Sequence, residues 1–251
     1  MSELPDLSGR VALVTGASRG IGYAVSVALA KAGAHVIAVA RTVGGLEELD
    51  DAIQAAGGQA TLVPFDLKDT DAIDRLGAAI FERWKRLDIL FANAGMLGPL
   101  TPVGHIKPKQ WDELVAINLT ANWRLIRALD PLLRASDAGR AVFMTSGATY
   151  SPRAYWGGYA VTKMALEQLA LTYAMETANY PLKVNLVNPG PIRTAMRAQA
   201  MPGEDPDTLK TPADIAPKIL ALFAPDFERH GMIYDFPQDG FLERPRPTSA
   251  E

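Results

Sequence analysis

Short apolar, β-branched runs alternate with stretches of helical apolar spacing along the whole chain, and this alternation narrows the fold more than any other feature. The first run, 10–15 (RVALVT), ends at Gly16 and reads as a buried strand. Residues 20–31 follow with Ile21, Val25, Ala28 and Leu29 at helical spacing, and Gly33 stands as a stop. A second strand covers 34–40. Further helices are expected near 45–56, 70–85, 111–135, 157–178 and 212–224, with strands at 60–64, 89–92, 141–145 and 183–187. Such alternation implies a parallel sheet covered on both faces, and right-handed crossovers make it doubly wound. The expected architecture is a single α/β Rossmann-fold domain over residues 1–251, with a sheet of about seven strands.

A chain of 251 residues is long enough for one such domain and a sizeable core. No linker, repeat or low-complexity tract divides it. Thr211-Pro212-Ala213-Asp214 reads as a helix start: a cap, a proline at the first helical position, an acid in the first turn. The stretch before it, about 190–211, is long and proline-rich and is expected to act as a mobile lid. Residues 242–251, ending in ERPRPTSAE, are expected to fray.

Between the first strand and first helix lies Thr15-Gly-Ala-Ser-Arg-Gly-Ile-Gly22, with glycines 16, 20 and 22 spaced G-x-x-x-G-x-G around Ser18, Arg19 and Ile21. Glycine lets the chain turn sharply and lets backbone approach a pyrophosphate, which a helix N-terminus attracts. A ligand-free glycine turn competes with that reading; its place after the first strand favours a dinucleotide. At the end of the second strand an acid would bind a ribose 2′-hydroxyl, and an arginine a 2′-phosphate. The chain has Ala40-Arg41-Thr42 there, with no carboxylate before Glu47. Arg41, helped by Arg19, therefore favours NADP(H), with NAD(H) as the alternative.

Tyr159 and Lys163 are four apart in an expected helix, so the phenol and ammonium project from one face. Bringing a phenol from about 10 toward neutrality requires about 4 kcal/mol. A unit charge about 4 Å away supplies about that at an effective dielectric of 20. On this reckoning Lys163 lowers the Tyr159 pKa and makes it a usable acid–base group.

Taken together, Thr15-Gly-x-x-x-Gly-x-Gly22, Asn93-Ala-Gly95, Asn118, Ser146, Tyr159-x-x-x-Lys163 and Pro189-Gly-Pro-Ile-Arg-Thr194 resemble the short-chain dehydrogenase/reductase family in order and approximate spacing, over about residues 8–236. The resemblance implies a catalytic tetrad of Asn118, Ser146, Tyr159 and Lys163. Tyr159 would exchange a proton with a carbonyl or alcohol, and Ser146 would bond the substrate oxygen. Lys163 would hold the nicotinamide ribose, and Asn118 would anchor a relay water. It also implies that Asp66, with Leu67, lies by the adenine, that Asn93, Ala94 and Gly95 line the cofactor, and that Pro189, Gly190, Ile192 and Thr194 sit by the nicotinamide. The segment 232–240 lacks the paired glycines common in the family, and the chain looks like a bacterial subgroup without a defined substrate.

The function expected is hydride transfer between a nicotinamide cofactor and a carbonyl or secondary alcohol. A cofactor-binding regulatory protein without turnover, and an NAD(P)-assisted epimerase or dehydratase, are the alternatives. Met96, Ala148, Tyr155, Trp156 and Met196 are expected around an amphipathic substrate pocket, where Arg153, Arg193 or Arg197 would suit an acidic group. The absence of cysteine excludes disulfides and thiolate chemistry, and the three dispersed histidines suggest no metal site. A net charge of −3 without a basic stripe argues against nucleic acid. No apolar run reaches the roughly 20 residues of a membrane span. A cytoplasmic protein is expected. Apolar residues on more than one side of 111–135 and 157–178, with the family habit, suggest a homo-oligomer, tetramer or dimer.

Overall fold

Val11–Thr15 (β1) is buried at all five positions, as a strand must be when helices cover both its faces. A computed structural model describes residues 5–242. After β1 come Gly20–Lys31 (α1), His35–Ala40 (β2), Val43–Ala55 (α2), Gln59–Pro64 (β3), Thr70–Trp84 (α3) and Ile89–Ala92 (β4). Pro108–Val115 (α4), Ala121–Arg134 (α5), Arg140–Met144 (β5), Gly157–Glu176 (α6) and Lys183–Asn188 (β6) follow. Ala195–Ala200 (α7), Pro212–Ala221 (α8), Ile233–Asp235 (β7) and Gly240–Leu242 (β8) complete the order.

The strands lie in the order β3-β2-β1-β4-β5-β6-β7-β8. Pairing is parallel from β3 through β7 and antiparallel between β7 and β8. Successive residues of β1 serve opposite cores. Ala12 and Val14 pack with α1, α2 and α8; Val11 and Leu13 pack with α3, α5 and α6. The chain direction across the sheet reverses between β1 and β4, and in open α/β sheets ligands bind beyond the carboxyl ends of the strands at such a switch point.

The doubly wound parallel sheet expected from the alternation is present, and among the described residues it has eight strands rather than about seven. The additional strand is three residues long, too short for periodicity to reveal. Asp239, in the left-handed region at φ 48°, turns the chain so that Leu242 pairs with Ile233. Leu242 is thus in a strand rather than in a frayed tail; residues 243–251 lie outside the described residues. The helix expected over 111–135 begins at Pro108 and is interrupted by a π-helical turn, Ala116–Thr120. Residues 190–211 are not structureless: they contain α7, a 3₁₀ turn at Pro206–Thr208 and a parallel bridge between Ile192 and Lys210. The helix start at Thr211 is as expected, with Pro212 first and Asp214 accepting from the Thr211 N–H at 2.6 Å.

Candidate active site

The turn between β1 and α1 needs its glycines for two different reasons. Gly16 and Gly20 sit at φ 65° and 59°, which side chains avoid. At Gly22 the limit is space: a Cβ would lie 2.2 Å from the Gly16 carbonyl oxygen and 2.6 Å from Asn93 Nδ2. Arg19 is exposed and extended and makes no side-chain cap, so no capping group from that residue meets the first N–H groups of α1. Such an N-terminus attracts a phosphate. Ile21 packs on the core, and Ser18 backs Gly45 at the start of α2, where a Cβ would come within 3.0 Å of Ser18 Cβ.

Asn93, Ala94 and Gly95 leave β4 directly against this turn. The Thr15 hydroxyl accepts from the N–H groups of Asn93 and Ala94 at 3.1 and 3.0 Å, and Asn93 Nδ2 donates to the Thr15 carbonyl at 3.0 Å. At the end of β2, the Arg41 guanidinium is 3.9 Å from Asp66, which also faces Lys68 at 3.7 Å. Asp66, expected beside adenine, is here a member of a surface charge group. The Leu67 side chain is buried in the core on the α3 side, which leaves its backbone for any ligand contact.

At the other end of the cleft the expected tetrad converges. The Tyr159 hydroxyl faces the Ser146 side chain, and the Lys163 ammonium lies 5.9 Å from the Tyr159 ring centre. Lys163 Nζ donates to the Met144 carbonyl at the end of β5, at 2.8 Å. A Cβ on Gly95 would touch both Lys163 Nζ (3.2 Å) and Asn118 Oδ1 (3.4 Å), so the loop after β4 fits against both residues. Asn118, within the π-helical turn, accepts from Met96 N at 2.9 Å and donates to Met96 O and Thr162 Oγ1, both at 3.0 Å. Both of its amide hydrogens are therefore committed, and one of the two Oδ1 lone pairs is taken by Met96 N.

One expectation is corrected. Lys163 does not bring the Tyr159 phenol below its ordinary value. Burial pushes the phenol up, against the lowering effect of the Ser146 hydrogen bond. A charge about 4 Å away favours the phenolate by about as much as desolvation can take back, because burial disfavours the charged form of both groups. Lys163 itself comes down to about 8 because it is buried, with Glu167 acting in the opposite direction.

The loop after β6 closes the site. Gly190, at φ 64°, rests on Pro237; a Cβ there would lie 2.4 Å from Pro237 Cγ. Asn188, next to Pro189, accepts from Gly190 N at 3.2 Å and donates to Asp235 at 2.5 Å. Ile192 is buried in the core. Thr194 caps α7, accepting from Arg197 N at 3.2 Å, and its methyl faces Gly20 across the cleft, 3.5 Å from a Cβ placed there. The glycine turn and the β6 loop are thereby brought together.

Around the reacting end, Trp156 meets Tyr159 edge-on with ring centres 6.0 Å apart. Tyr155 is exposed and left-handed at φ 73°, an uncommon conformation for a bulky residue. Ala148 donates its N–H to Ser146 Oγ at 3.2 Å; Met96 and Met196 are half-buried. The arginines considered for an acidic substrate group are partly committed: Arg197 is bidentate with Glu204, and Arg193 bonds Asp207 at 2.8 Å. Among the described residues, no group of three or more His, Cys, Asp or Glu could hold a metal.

Three contributors escaped the sequence reading: Glu167, Asn188 and Asp235. Glu167 follows Lys163 by four residues, a spacing that would have exposed it. The Asn188–Asp235 pair spans the fold and has no local signal.

A profile of short chain dehydrogenases matches residues 10–205. An uncharacterised oxidoreductase of Escherichia coli K12, YciK, is 40% identical over 233 residues, covering 91% of this chain and 92% of its own. An uncharacterised NAD-dependent oxidoreductase of Mycobacterium tuberculosis is 34% identical, covering 76% and 74%. A short chain dehydrogenase of Shigella flexneri 2a, crystallised with NADP, superposes with a TM-score of 0.88 at 39% identity, covering 93% of this chain and 99% of that one.

Proposed function

The chain belongs to the short-chain dehydrogenase/reductase family, and from that membership we propose how its residues perform NAD(P)-dependent oxidoreduction of a small carbonyl or secondary alcohol. The observation that carries the reading is the meeting of Ser146, Tyr159, Lys163 and Asn118 beside the glycine turn, at the carboxyl ends of β4 and β5.

The dinucleotide fits the residues present. The close approach at Gly22, the left-handed Gly16 and Gly20 and the uncapped start of α1 suit a pyrophosphate, with Asn93–Gly95 and the β6 loop forming the walls. When bound, the nicotinamide supplies or accepts the hydride. Tyr159, raised by burial, keeps its proton at neutral pH and is in the state that donates to a reduced carbonyl. Ser146 steadies the substrate oxygen, and Lys163 offers its ammonium to the ribose. Asn118 holds Met96 and, through it, the loop beside Lys163. The segment 190–211, tied across its base by Ile192 and Lys210, serves as the lid over the substrate. The test of the reading is NADPH oxidation against a panel comprising a keto ester, an aromatic ketone and an o-quinone. Turnover of none of them with either coenzyme would favour a binding protein.

NADP(H) is favoured over NAD(H). The Arg41–Asp66 contact is long and its guanidinium two-thirds exposed, so the pair contributes little and leaves the charge available to a 2′-phosphate. The relative crystallised with NADP supports the same choice. Arg41→Ala is expected to weaken NADPH binding by roughly 10- to 100-fold and leave NADH nearly unchanged, measured by titration of both. Equal losses would tell against a phosphate contact.

Among the described residues no helix is long and apolar enough to cross a membrane. A cytoplasmic location belongs to the same proposal, as does assembly of identical copies. Val161, Met164 and Met175 on α6 and Trp123 on α5 are exposed apolar groups that suit a helix-to-helix interface between subunits. Light scattering is expected to return the mass of a dimer or tetramer, and Val161→Glu to lower it. A wild-type monomer would remove this part of the proposal.

A further inference from the structure

On α6, Tyr159, Lys163 and Glu167 follow one another at intervals of four, so their side chains stack along one face. Glu167 is fully buried, an expensive place for a carboxylate unless its oxygens are bonded and its charge is balanced. Its Oε1 accepts from two hydroxyls, Thr145 Oγ1 at 2.5 Å and Thr149 Oγ1 at 2.7 Å. Those two threonines flank Ser146. The Thr145 N–H donates to the Val187 carbonyl of β6 at 2.9 Å, and the single hydrogen of the Thr149 hydroxyl is shared between Glu167 and the Ser146 carbonyl, the latter 2.8 Å away. A single oxygen on α6 thus grips both sides of the turn that presents the serine. Resting on the function proposed above, we propose that Glu167 is a positioning residue for the reaction: its carboxylate fixes the Thr145–Thr149 turn and supplies the countercharge that keeps Lys163 cationic.

The electrostatic half of this follows from what surrounds the lysine. Lys163 is 3% exposed, so water does little to stabilise its charge. From β5 it meets the Met144 carbonyl; from the loop after β4 and the π-helical turn it faces Gly95 and the neutral Asn118. Tyr159 and Glu167 are the titratable neighbours, both on α6. Tyr159 is neutral near pH 7, which leaves Glu167 as the anion; it opposes the burial that brings the ammonium down to about 8. An ammonium near 8 is mostly charged at neutral pH and loses its charge as pH rises. Removing the anion moves that loss downward, into the working range.

The test uses the full chain with ¹³C at lysine Cε, the Lys163 resonance being assigned by its disappearance in Lys163→Ala. Glu167→Gln keeps an oxygen for the two threonines and removes the charge. Its Lys163 titration midpoint is expected to fall by about one pH unit, with the alkaline limb of NADPH oxidation moving down alongside it. Thr149→Val leaves the charge and removes one grip; it is expected to lower kcat by about 10- to 100-fold while the midpoint stays in place. An unchanged midpoint in Glu167→Gln, or wild-type kcat in Thr149→Val, overturns the proposal. Should Glu167→Gln fail to fold, Glu167→Asp retains the charge on a shorter arm. That variant is expected to show the wild-type midpoint with reduced kcat, and a lowered midpoint or full kcat there overturns the proposal equally. The lysine titration needs no substrate, so it stands even if the carbonyl panel shows that the protein does not turn over.

Discussion

Tyr159→Phe is expected to lower turnover by about 10²- to 10⁴-fold, the usual worth of a positioned proton donor, while the protein stays folded and binds NADPH as before. The substitution removes one oxygen and nothing else. The ring remains packed edge-on against Trp156 and beside the Lys163 ammonium, and the Lys163 bond to the Met144 carbonyl does not involve the phenol. The stability lost is at most that of one hydrogen bond, about 1 kcal/mol. The defect should therefore lie in kcat. The check is single-turnover NADPH oxidation on the best carbonyl of the panel, beside an NADPH binding titration. Wild-type turnover in the variant would take Tyr159 out of the chemistry, and with it the account of Ser146 as its partner at the substrate oxygen.

The second large effect concerns a hydrogen atom's worth of space. In Gly22→Ala the new Cβ would fall 2.2 Å from the Gly16 carbonyl oxygen, closer than any real contact, and the obstacle is backbone that cannot swing aside. The turn must open or α1 must shift. Either movement also disturbs Asn93, whose amide lies 2.6 Å from the same position and bonds the Thr15 carbonyl. The expected result is a stability loss of roughly 1–3 kcal/mol, read from the urea midpoint. The thermal stabilisation that NADPH gives the wild type should also disappear. Gly44→Ala in α2 is the control: nothing lies within 4 Å of its Cβ and its φ is not left-handed, so stability should hold or rise slightly. Retention of the NADPH effect in Gly22→Ala would show that the glycine turn is not where the dinucleotide binds.

Much of this was legible before any coordinates. Strands such as β1 and β4 are apolar runs because both faces are covered, and the helices between them carry their own period; local pattern and global fold agree there. The spacing of Tyr159 and Lys163 is likewise a local property of one helix. What escaped depends on distance along the chain or on burial. β8 exists because Asp239 turns the chain back onto β7, and three residues carry no period. The π-helical turn at Asn118 is a change in hydrogen-bond register that residue types do not announce. The direction of the Tyr159 shift is set by burial, and a spacing states how near a charge is but says nothing of how much water has been removed. Asn188 and Asp235 are 47 positions apart, and their pairing becomes visible when β6 and β7 lie side by side.

The bracing of Gly190 by Pro237, and of Asn188 by Asp235, has a consequence for how the protein is made. Emerging from the ribosome, the nascent polypeptide can lay down β1 through β6 and every member of the proposed tetrad, yet Asn188 and Gly190 lack the contacts of Asp235 and Pro237 until residues 235–237 clear the exit tunnel. The wall therefore takes its shape only once residues 235–237 are available, and a chain truncated before them would carry the proposed tetrad without that buttress.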